Sequence, residues 1–74
     1  MAELSEKAKK ALEKARQKTE TYQSDVIDWI DAGTSEDVDR IMSAFHKKEA
    51  SLKEANQASY EAHLILKKEL DLPD

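Results

Sequence analysis

The chain has 74 residues, of which 38% are charged and 39% hydrophobic, with no Cys and a formal net charge of −4. That length bounds it to one small domain, residues 1–74, and the lack of Cys excludes a disulfide framework and thiolate chemistry. The acidic balance argues against nucleic acid as the main partner, and no stretch approaches the ~20 apolar residues of a membrane span.

A chain rich in Ala, Glu, Lys and Leu, with a single Gly and a single Pro, is the composition of long helices. No run alternates β-branched and polar residues, so strands are not expected. The first ten residues lack the apolar block of a signal peptide, and a reducing, cytoplasmic location is expected.

The first arm is predicted over about 4–32. Ala8, Ala11, Leu12, Ala15, Thr19, Tyr22, Val26, Trp29 and Ile30 recur mostly at helical intervals. Ser5 or Glu3 can start this helix. Its first half offers mainly alanine to a partner, and its last turns offer bulky side chains.

The stretch Asp31 to Asp37 then breaks the pattern. Gly33, the sole glycine, reads as a helix stop, and Thr34 or Ser35 as the N-cap of the next helix. Thr34 to Asp37 resembles a capping box with Asp replacing Glu, and acids fill the following turn.

The second arm is predicted over about 35–70. Its stripe is Val38, Ile41, Met42, Phe45, Leu52, Ala55, Ser59, Ala62, Leu66 and Leu70. Folding about Gly33-Thr34 pairs residues whose numbers total roughly 67, as a tight helical hairpin requires. Trp29 should then meet Val38, Tyr22 should meet Phe45, and Ala15 should meet Leu52. Leu64 to Leu72 should overhang the first arm. The fold expected is all-α: two long antiparallel helices forming a helical hairpin, paired through a second interface into a four-helix dimer.

That second interface is suggested by apolar residues off the shared stripe. They are Ile27 and Met42 near the hinge, and Tyr60, Leu64 and Ile65 near the free end. Charge is uneven too. Residues 1–20 balance to +2, and residues 21–40 set six acids against Arg40 alone, a balance of −5. Asp25, Asp28 and Asp31 fall where the helix dipole disfavours negative charge, so an acidic rim around Trp29 and Ile30 suits a basic partner surface.

Catalytic signals are poor. His46 and His63 lack ligand-spaced partners, and the hinge acids do not follow a calcium-loop spacing. There is neither a glycine-rich phosphate loop nor a nucleophile beside a base. No catalytic residue, metal or cofactor is expected. Three residues separate Trp29 from Gly33, where a Trp-x-Gly hairpin signature needs one.

The expected function is a non-enzymatic protein-binding module: a small chaperone, adaptor or regulator. Its contact residues are expected to be Ile27, Asp28, Trp29, Ile30, Asp31, Met42, Tyr60, Leu64 and Ile65. The alternatives are a structural homo-oligomer subunit and, third, an RNA-binding four-helix dimer using the basic first arm.

Overall fold

Ser5 opens the first helix. Its backbone is extended (φ −66°, ψ 162°), and its hydroxyl accepts the Ala8 N–H at 3.1 Å, satisfying one orphan donor of a helix start. A computed structural model describes residues 3–71 and shows two helices, α1 (Glu6–Ser35) and α2 (Val38–Leu70). They pack antiparallel as a hairpin measuring 52 × 19 × 14 Å. No helix among the described residues is long and apolar enough to cross a membrane.

The turn is not at Gly33. Helix α1 passes through that residue and ends one turn later, where Glu36 adopts the left-handed conformation (φ 60°, ψ 15°). The Glu36 N–H donates to the Gly33 carbonyl at 3.4 Å. Thr34 and Ser35 do not cap the second helix. Their hydroxyls donate backwards to the carbonyls of Asp31 and Ala32, at 2.7 and 2.6 Å, satisfying acceptors exposed at the end of α1. Asp37 takes the N-cap instead, accepting from the N–H groups of Asp39 and Arg40 at 3.1 and 3.3 Å.

This displacement resets the pairing. Ion pairs join Lys14 to Glu61 at 4.0 Å, Lys18 to Glu54 at 3.6 Å and Asp25 to Lys47 at 3.6 Å. The expected register would have put Asp25 opposite Met42. In the observed one Trp29 stands opposite Ala44, Tyr22 opposite Ser51 and Ala15 opposite Ala58. The expected overhang is also absent up to Glu69, whose carboxylate accepts from both the Ser5 N–H and the Ser5 hydroxyl, keeping the free ends level. Leu72 and Pro73 lie outside the described residues.

Once this register is known, the seam is regular. Ala8, Ala11, Ala15, Lys18, Tyr22, Asp25, Trp29 and Ala32 follow one another at alternating intervals of three and four. Ile41, Ala44, Lys48, Ser51, Ala55, Ala58, Ala62 and Ile65 do the same on α2. That is the spacing of paired helices, with a small residue in nearly every layer so that the backbones approach closely.

What the seam buries is small. The buried apolar residues are Ala8, Ala32, Ala55, Ala58 and Ala62, joined by Ser51 and Asp25. No large side chain among the described residues is fully buried. Trp29, Val38 and Phe45, placed between the arms by the expected pairing, are exposed instead.

Candidate protein-interaction face

The seven-residue recurrence of two sets of residues builds a face beside the seam. On α1 the set is Leu12, Thr19 and Val26; on α2 it is Phe45, Leu52, Ser59 and Leu66. In an antiparallel pair these positions flank the same side. The opposite flank belongs to charge. There Lys14 meets Glu61, and Asp25 and Asp28 share a shallow groove with Arg40 and Lys47. One side of the hairpin is thus ion-paired and the other apolar.

The apolar side is densest near the turn. Trp29, Ile30, Met42 and Phe45 are 36%, 53%, 48% and 38% exposed, and Val38 at the start of α2 is 69% exposed. Lys48 lies against this cluster, its Nζ 5.0 Å from the Trp29 ring centroid and 5.2 Å from that of Phe45. Its ammonium also pairs with Glu49 at 2.9 Å. Lys48 and Asp25 both occupy seam positions and add polar groups to the seam near the turn. No side-chain nitrogen or oxygen among the described residues is fully buried without a hydrogen-bond partner, and the Asp25 carboxylate has the Lys47 ammonium at 3.6 Å.

The structure divides the residues expected to make contacts. Trp29, Ile30 and Met42 are all exposed at the turn end of the hairpin, as is Asp31, whereas Asp28 lines the groove of the opposite, charged flank. Ile27, 60% exposed, projects away from the seam. Tyr60 and Leu64 are exposed on the outer surface of α2, roughly 24 and 30 Å along the helix axis from Trp29 at a rise of 1.5 Å per residue. They form no common patch with the hinge. Ile65 is half-buried at a seam position.

Phe45, Val38, Leu12, Leu52 and Leu66 stand outside the expected contact set because helical spacing places all five on the shared stripe. The signal that separates flank from seam is the strict interval of seven linking Leu12 to Val26 through Thr19, and Phe45 to Leu66 through Leu52 and Ser59.

His46 and His63 are both exposed, and no group of three or more His, Cys, Asp or Glu among the described residues could hold a metal ion. One carboxyl is perturbed. The Ser5 hydroxyl, and then the Ser5 backbone N–H, hold Glu69 below its ordinary value by donating to the charged form. This contact latches the free end of the hairpin. Comparison of the chain with protein-family models, with curated proteins and with solved structures finds no match.

Proposed function

We propose that this chain is a non-enzymatic protein-interaction module, a small chaperone, adaptor or regulator, acting through Trp29, Ile30, Met42 and Phe45. The observation carrying this reading is an inversion of size. The hairpin closes over alanines and leaves its largest apolar side chains outside. Full burial of an exposed side chain of this kind is worth about 1.5–3 kcal/mol, and covering these, which are a third to a half exposed, supplies a part of that for each. Asp28, Asp31, Glu36, Asp37 and Asp39 surround that end and favour a basic rim on the partner. A cytoplasmic setting suits a chain without Cys, and the reading invokes no cofactor.

A structural homo-oligomer is the second reading, favoured by the rod shape. The radius of gyration is 16.3 Å, against about 11 Å for a compact domain of this length. RNA binding is less well supported. Lys9, Lys14, Arg16 and Lys18 each have a glutamate within 4.0 Å, which reduces the charge available to phosphates.

The test compares wild type with a variant carrying Ile30→Ser and Phe45→Ser, each immobilised and exposed to a cell lysate. Both chains should be helical by circular dichroism, with proteins retained by wild type lost from the variant. Equal retention by two equally helical chains would contradict the reading.

A further inference from the structure

We infer that the apolar face is covered by a second copy of this chain running in the opposite direction, with the turn of each hairpin over the free end of the other. This rests on the face being an interaction surface. It adds the occupant and its orientation.

Surface area supports an occupant of about this size. The chain exposes 5852 Å², whereas a compact monomer of 8.4 kDa is expected to expose about 4,600 Å². The excess exceeds the ~800 Å² that each partner buries in a standard protein interface. A hairpin is one layer of helices, and stacking a second layer is how such a surface is covered.

The distribution of apolar residues indicates full overlap. The face has bulk near the turn, in Trp29, Ile30, Met42 and Phe45, and a smaller apolar group near the free end, in Leu12, Leu66 and Leu70. Stacking only the turn halves would leave the second group uncovered. A two-fold axis across the middle, near Thr19 and Leu52, covers both. It also makes the interface self-complementary, as a closed dimer requires.

Charge decides the direction. From Glu20 to Ser35 the first helix carries Glu20, Asp25, Asp28 and Asp31 and no Lys or Arg. Before that it carries Lys7, Lys9, Lys10, Lys14, Arg16 and Lys18 against Glu6 and Glu13. The two-fold axis lays α1 over α1 of the second copy and keeps the two acidic turns at opposite ends of the dimer. The same-direction arrangement brings the two turns together, each with Glu36, Asp37 and Asp39 against Arg40 alone, and like charges oppose it.

Single cysteines test the arrangement cleanly because the chain has none. Full-length Thr19→Cys and Glu36→Cys are oxidised separately and sized by denaturing electrophoresis, with sedimentation equilibrium run on the wild type. The expected results are a mass twice 8.4 kDa, a disulfide-linked dimer through Thr19→Cys and none through Glu36→Cys. A linked dimer through Glu36→Cys overturns the orientation, as does a wild-type dimer with no link through Thr19→Cys. A wild-type monomer overturns the second copy as occupant. If that monomer still retains lysate proteins through Ile30 and Phe45, the interaction-module reading survives the loss of the dimer.

Discussion

At Gly33 and Glu36 the backbone has the reverse of the usual assignment, with glycine helical and glutamate left-handed. A Cβ added at Gly33 would meet nothing within 4 Å, and its φ is not positive. Gly33→Ala should therefore stabilise the hairpin by about 0.5–1 kcal/mol, since it removes backbone freedom from the unfolded chain. If Gly33 were the left-handed stop, the same change would destabilise. Glu36 pays the left-handed penalty for a side chain, so Glu36→Gly should raise stability by up to about 1 kcal/mol. Urea melts of the two variants, followed by circular dichroism, check both signs. Thr34 and Ser35 account for the three-residue difference between the expected stop at Gly33 and the observed one at Glu36. Their hydroxyls can cap a following helix or bond back to a preceding one, and the choice depends on which carbonyls the tertiary fold leaves open.

Among the elements, α1 receives its N-terminal cap partly from α2. The side chain three residues after a Ser N-cap is often a Glu that accepts from the cap's own N–H; here that position is Ala8, and Glu69 does the accepting. Ser5→Ala should cost about 1 kcal/mol through the lost cap. The latch also titrates. Because Glu69 is held below its ordinary value of 4.5, its contribution is present above that pH and is lost as pH falls through the lowered value. Between pH 7 and pH 3 the urea midpoint of wild type should fall further than that of Glu69→Gln; equal falls would show that the latch contributes nothing. Sequence periodicity revealed both helices, but not this long-range cap, because an isolated Ser and a distant Glu carry no local pattern. The same limit affected the seam. Ala55 and Ala62 stand in the expected stripe beside larger residues and Ala58 stands outside it, yet close backbone approach buries all three.

At the scale of the whole molecule, the hairpin is organised by residue size. Small residues permit close approach between α1 and α2, ion pairs close one flank, and bulky apolar residues occupy the other. The sequence showed surplus apolar bulk and an acidic turn. It did not show that Phe45 shares a face with Trp29 while Ile27 lies away from it, because that depends on a register set by Glu36 and Asp37. A hairpin that fully buries no large side chain among its described residues should have little stability of its own, and covering the apolar flank should supply the remainder. The direct measurement is the thermal midpoint followed by circular dichroism over a hundredfold range of chain concentration. If two copies complete the fold, the midpoint rises steadily with concentration and Phe45→Ser lowers it throughout. A wild-type midpoint independent of concentration would contradict association as the source of that stability.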